Sequence, residues 1–292
     1  MRIGAVNYLN SKPLVCGLAE LAPAARVTYD LPSRLADSLL AGRLDVALVP
    51  SVEFFRAPGQ QIVSDACVAC RGPVLSVKLH FRVPPKDVRR VALDEGSRTS
   101  AALTQILLAE TCGVRPAWEP LPIGCGPETT DADAVLLIGD RAIAAEGRGS
   151  RVEGRGPGKF YEVWDLGERW WEWTGLPFVF AMWVARDGAD VSEVAGVLGA
   201  ARDRGVRQLD EIAACEGPLV GISAEMAKSY LRENLHFELG AREWAGLRRF
   251  YELCVAHGLA PAGLEGALKD VGEAEVLLDR HGCITRSSRV VG

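Results

Sequence analysis

The sequence predicts an α/β protein of two lobes with a cleft between them. Three observations lead there. The chain of 292 residues is too long for one ordinary core and suits two α/β lobes. It opens with a β-α-β pattern whose strands end in polar turns. The pattern then builds a second α/β unit and returns through an aromatic-rich stretch. Two crossings of that kind make a hinge, and a hinge leaves a cleft suited to a ligand.

Each element follows from a local signal. Ile3 to Val6 reads as a first strand, ended by Asn7-Tyr8-Leu9-Asn10-Ser11-Lys12-Pro13. Pro32-Ser33 opens a helix with Leu35, Leu39 and Leu40 on one face and Gly42 as its stop. Asp45 to Val49 is a buried strand ended by Pro50-Ser51, parallel to the first strand. Residues 62–82 hold two strands around Arg71-Gly72-Pro73, and Pro84-Pro85 is a hinge into the second lobe. There, Val91 to Leu93 is a strand and Asp94 to Ser100 a polar turn. A helix with Leu103, Ile106 and Leu107 on one face runs to Gly113, and Ala134 to Ile138 is a buried strand before Gly139-Asp140-Arg141. Gly147 to Gly158 reads as a surface loop. Residues 160–184 return to the first lobe, and helical patterns follow. The expected division is 1–82 with 180–260 as one lobe and 86–176 as the other, each with its own core. The tail at 261–292 has no assigned packing.

Composition excludes several function classes. The chain is 48% hydrophobic and 24% charged with net charge −5, so no basic surface points to nucleic acid. The longest apolar run, Leu176 to Val184, is too short to cross a membrane. A strand begins at once after Met1, so no signal peptide is expected and the expected compartment is the cytoplasm. Eight scattered cysteines suit a reducing environment. Cys67-Val-Ala-Cys70 has ligand-like spacing, but no second pair follows and His80, His236, His257 and His281 are isolated. No metal and no cofactor are expected. Oligomeric state is not legible.

Two polar clusters are candidates for a small-molecule site. Ser97-Arg98-Thr99-Ser100 follows a strand and opens a helix, where free N–H groups and the helix dipole favour an anion. Three hydroxyls and a guanidinium suit a carboxylate there, although Ser97 or Thr99 equally suits a plain cap. Asn10-Ser11 and Pro50-Ser51-Val52-Glu53 end strands of the opposing lobe, where α/β sheets bind ligands. Ser76 lies alone in an apolar strand. Some of Trp170, Trp171 and Trp173 line the cleft or pack at the hinge. The polar loops hold no histidine. The available bases are Glu53, Glu95 and Asp140, which are weak near neutral pH unless burial raises their pKa.

These segments together resemble a known family. Gly4 to Leu14, Val49 to Glu53, Ser97 to Ser100, Ile138 to Arg141 and Asp165 to Ala181 are similar to motifs of the chorismate dehydratase and dihydroxynaphthoate synthase family of menaquinone biosynthesis. The resemblance runs from residue 3 to about residue 260, and Asn10-Ser11-Lys12-Pro13 with the tryptophan block resembles the dehydratase branch. It implies a type 2 periplasmic-binding-protein-like fold and a lyase reaction, loss of water from chorismate. It also implies that Asn10 and Ser76 lie near the reacting ring. Ser51, the turn Ser97 to Ser100, and with them Ser11 and Asp140, would hold the substrate. The alternatives are a non-catalytic binding protein for a small carboxylate and the sister synthase.

Overall fold

The computed structural model describes residues 1–147, 160–264 and 268. The expected surface loop falls almost wholly outside the described residues, as does most of the tail after Leu264.

Two mixed sheets carry the fold. The first contains β1 (Arg2–Val6), β2 (Arg26–Asp30), β3 (Val46–Pro50), β4 (Gln61–Cys70), β10 (Phe178–Ala185) and β11 (His236–Glu238), in the order β11-β4-β10-β3-β1-β2. The second contains β5 (Val77–Phe81), β6 (Arg90–Asp94), β7 (Ala117–Leu121), β8 (Ala134–Ile138) and β9 (Glu162–Asp165), in the order β7-β6-β8-β5-β9. Short helices α1 (Leu18–Leu21), α2 (Pro32–Leu40) and α3 (Ser51–Arg56) connect the first strands. The second lobe contributes α4 (Arg98–Cys112), α5 (Asp140–Gly147) and α6 (Leu166–Thr174). The chain then adds α7 (Val194–Arg207), α8 (Leu209–Glu216), α9 (Ala224–Ser229) and α10 (Ala241–Ala256).

β1 pairs in parallel with both β2 and β3, and β6 pairs in parallel with both β7 and β8. In each sheet the strand order therefore reverses beside one strand. The loops after β1 and β6 diverge from their neighbours there, which opens a crevice. The two crevices face each other across the cleft.

Three expectations need correction. Val77–Phe81 was expected in the first lobe, yet it pairs antiparallel with β8 and β9 in the second sheet. The crossing thus lies at residues 71–76, and Pro84-Pro85 only leads a 3-10 turn, Pro85–Asp87, between strands of one sheet. Proline ends a strand but does not choose the next partner. Separate cores were also expected. Instead one continuous buried cluster includes Ile3 and Leu48 of the first sheet and Val91, Leu103 and Leu136 of the second. Helices α3, α4, α6 and α10 touch one another behind the cleft and join the two. Among the described residues, only Ala92, Leu121, Ala132, Val135, Leu137 and Ala142 form a separate cluster, on the opposite face of the second sheet. Leu40, placed on the apolar face of α2, is 71% exposed.

The tryptophan block packs rather than binds. Trp170 is fully buried against Phe178 and Phe250, and its Nε1 donates to the Pro177 carbonyl at 3.1 Å. Trp171 lies under the Arg242 guanidinium. Cys67 and Cys70 are buried on β4, and no group of metal-ligating side chains is present among the described residues.

Candidate active site

A pocket, partly open to solvent, lies between the two crevices. Its walls come from both lobes. Val6, Tyr8 and Asn10 follow β1, Pro50 ends β3, and Phe180 and Ala181 lie on β10. Ser97, Thr99 and Ser100 open α4, and Ile138 and Gly139 end β8. Val74 and Ser76 come from the crossing segment.

The expected site residues divide into two groups. Asn10, Ser76, Ser97, Thr99 and Ser100 all line the cavity, Asn10 from the 3-10 segment after β1 and Ser76 from the crossing between lobes. Ser97 is also the N-cap of α4, accepting the Ser100 N–H at 3.3 Å, so capping and lining coexist. The other expected residues face elsewhere. Ser11 is fully buried and donates to the Tyr8 carbonyl at 2.9 Å, which holds the 3-10 segment Leu9–Val15 that carries Asn10. Ser51 donates to the Val179 carbonyl at 2.7 Å and lies 3.4 Å from Thr99 Oγ1. Arg98 does not line the cavity. It binds Glu53 at 2.9 Å and Asp37 at 2.8 Å, both in the other lobe, because two carboxylates lie within reach of its long side chain there. Asp140 accepts the Leu9 N–H at 3.0 Å, also from lobe to lobe. These contacts hold the lobes together at the cavity's edge.

The three carboxylates considered as bases do not line the cavity either. Glu53 pairs with Arg98 and Arg56, Glu95 is exposed, and Asp140 is tied to Leu9. Among the described lining residues, none is a carboxylate, imidazole, amine or guanidinium.

This sequence matches the family described as menaquinone biosynthesis over residues 1–256. The chain belongs to that family. It is 33% identical over 261 residues to the chorismate dehydratase of Thermus thermophilus, covering 82% of this chain and 95% of that one. It is 25% identical over 266 residues to the chorismate dehydratase of Campylobacter jejuni, covering 89% of this chain and all of that one. A Candida albicans protein that exhibits the generic periplasmic-binding-protein fold superposes with a TM-score of 0.62 at 12% identity, covering 92% of this chain and 93% of that one. That last likeness concerns the fold alone.

In this member of the menaquinone biosynthesis family, three aromatic residues at or beside the site carry no local motif that marks them. Phe180 forms an apolar wall on β10. Tyr8 reaches from the first lobe onto Gly139 of the second. Gly139 sits at φ 65°, and a Cβ there would lie 3.1 Å from the tyrosine ring, so both its conformation and the close approach require glycine. Burial, helped by Asp94, pushes the Tyr8 hydroxyl up to about 12, so it stays a neutral donor. Tyr230 begins a π-helical turn, Tyr230–Asn234, and is fully buried. Its hydroxyl interacts with the side chains of Ser76 and Asn10 but makes no well-aligned hydrogen bond. Such turns interrupt helices at functional sites often enough to be a usable signal, but only once the backbone is known. Burial raises the pKa of Asp140 to about 6, against the opposing pull of the Leu9 N–H.

Proposed function

We propose that this chain is a chorismate dehydratase, a hydro-lyase that converts chorismate to 3-[(1-carboxyvinyl)oxy]benzoate and water. Family membership supports the pathway. One observation carries the chemistry: a cleft lined by hydroxyls, an amide and a helix N-terminus, with no ionisable base of ordinary strength among its described lining residues.

That inventory suits an elimination driven by aromatisation. The C3–H bond breaks and its electron pair enters the ring. The C4–O bond breaks, and hydroxide leaves to become water with the proton. The developing anion delocalises through the diene onto the ring carboxylate. The Thr99 N–H precedes the first intrahelical bonds of α4, and with the Ser97 and Ser100 hydroxyls it is suited to that carboxylate. Donors that meet charge as it develops lower the barrier rather than merely tighten binding. Asn10 and Ser76 are suited to the departing hydroxyl and the reacting ring. The substrate's enolpyruvyl carboxylate is the proton acceptor in this reading, since no side chain of the lining fills that role. The cleft excludes water and fixes the geometry.

The reading puts the reaction in the cytoplasm, where unpaired thiols persist. The described cysteines are all free, and no described helix is long and apolar enough to cross a membrane. Incubation of the purified protein with chorismate, followed by chromatography and mass analysis, tests the proposal. Catalytic appearance of the aromatic ether with loss of water is the expected result. Tight chorismate binding without turnover would replace it with a binding-protein reading.

A further inference from the structure

Leu75 is the one non-glycine residue at positive φ, 58°, among the described residues. The Ser76 N–H donates back to the Val74 carbonyl at 2.7 Å. A hydrogen bond of this span around a positive φ is the rare, strained form of the γ-turn, and a side chain at its centre adds to the strain. Strain of this kind persists only where surrounding contacts over-determine it, and it gathers at functional sites.

The contacts that hold it come from one carboxylate. Asp165 accepts the Val74 N–H at 2.9 Å and the Leu75 N–H at 2.7 Å. It also caps α6 through the Gly167 and Glu168 N–H groups, at 3.0 and 3.1 Å. Lys78 Nζ lies 3.1 Å from it and balances its charge. Asp165 is only 4% exposed. Capping α6 needs the last two of the backbone bonds alone. The reach to Val74 and Leu75, some ninety positions earlier, serves the turn. On its other side Ser76 accepts the Gly139 N–H at 2.8 Å. Both backbone groups of Ser76 are thus engaged, and its side chain is left to the cavity.

We infer that Asp165 is a positioning residue: its buried carboxylate clamps the Val74-Leu75-Ser76 turn so that the Ser76 hydroxyl is presented to the substrate. This rests on the dehydratase reading, in which Ser76 lies beside the reacting ring.

The test compares Asp165→Asn, Leu75→Gly and the double variant in chorismate turnover, with folding followed by circular dichroism and thermal melting. Asn keeps a capping oxygen but loses the charge and one acceptor. Asp165→Asn should lose about tenfold to a hundredfold in kcat, as for a slightly displaced group, with KM changed far less. Adding Leu75→Gly should recover part of that kcat, because glycine adopts the turn without a Cβ penalty. A residue needed only for folding would lower the melting temperature and give no such rescue. Full kcat in folded Asp165→Asn, or an equal loss with and without Leu75→Gly, overturns the inference. Should Asp165→Asn not fold, Leu75→Val against Leu75→Gly reads the same geometry. The β-branched residue should fall well below glycine in kcat, and equality overturns the inference. An unaltered enzyme without turnover would instead refute the dehydratase reading, and the inference with it.

Discussion

Arg98 of the second lobe and Glu53 of the first lie 2.9 Å apart, Nη1 to Oε2, beside the entrance to the cavity. The same guanidinium binds Asp37 at 2.8 Å, so one side chain fastens two helices of the opposite lobe. Thr99, its neighbour, accepts the Val52 N–H at 3.2 Å and continues the seam. A cleft that must close over its ligand binds more tightly when such contacts favour the closed state.

Arg98→Ala and Glu53→Gln should therefore raise KM by about two- to fivefold, as befits a partly exposed ion pair. The double variant should be no worse than the poorer single one, because both remove the same contact. Strictly additive losses in steady-state kinetics would show that Arg98 meets the substrate instead.

Asn10→Ala should lower kcat by roughly a hundredfold, the loss typical of a missing donor to developing charge. Asn10 is only half-buried on a 3-10 segment that Ser11 holds in place, so the fold should survive. Full turnover in a folded variant would exclude the amide from the chemistry.

Tyr230→Phe separates stability from activity. The hydroxyl is buried without a well-aligned hydrogen bond, so its removal should leave the melting temperature unchanged or raised. Loss of its contact with Ser76 and Asn10 should still reduce kcat, by about threefold. Equal kcat in both proteins would mark the hydroxyl as inert.

Asp140→Asn tests the buried carboxylate. Burial raises its pKa to about 6, above the 3.8 of the free side chain. A raised carboxylate is stabilising when protonated, so its contribution is full below pH 3.8 and is lost as pH rises through about 6. The unaltered protein thus carries a charged, buried Asp140 at pH 7.5, and the amide removes that burden. The variant should melt about 2–6 °C higher at pH 7.5, with the gap narrowing as pH falls toward 4. Turnover should persist, since the side chain faces Leu9 rather than the cavity. A constant gap across that range, measured by differential scanning calorimetry, would refute the titration.

Much of the site could be read from local signals. Polar residues after an apolar strand mark a loop at a sheet's edge, and so Asn10 and the turn from Ser97 to Ser100 were legible. Ser97 as a helix cap needs only its three following residues. The buried strands at β3 and β8 follow from unbroken apolar runs, and the resemblance to the family rests on the same short motifs. Such features depend on a few neighbouring positions, where sequence and conformation are tightly coupled.

What only the tertiary structure decided depends on partners far along the chain. Val77–Phe81 could have joined either sheet, and pairing with β8 and β9 settled it. Arg98 carried the donors for a bound carboxylate, but Asp37 and Glu53 came within reach first. Tyr230 showed no motif of its own, and it meets Ser76 and Asn10 from the start of a π-helical turn late in the chain. The strain at Leu75 is likewise invisible in an apolar stretch until Asp165 arrives on the neighbouring strand β9. The amino-acid order sets backbone preferences within a turn or two, whereas the choice between competing charges and competing strands is made by packing across some 45 to 90 residues.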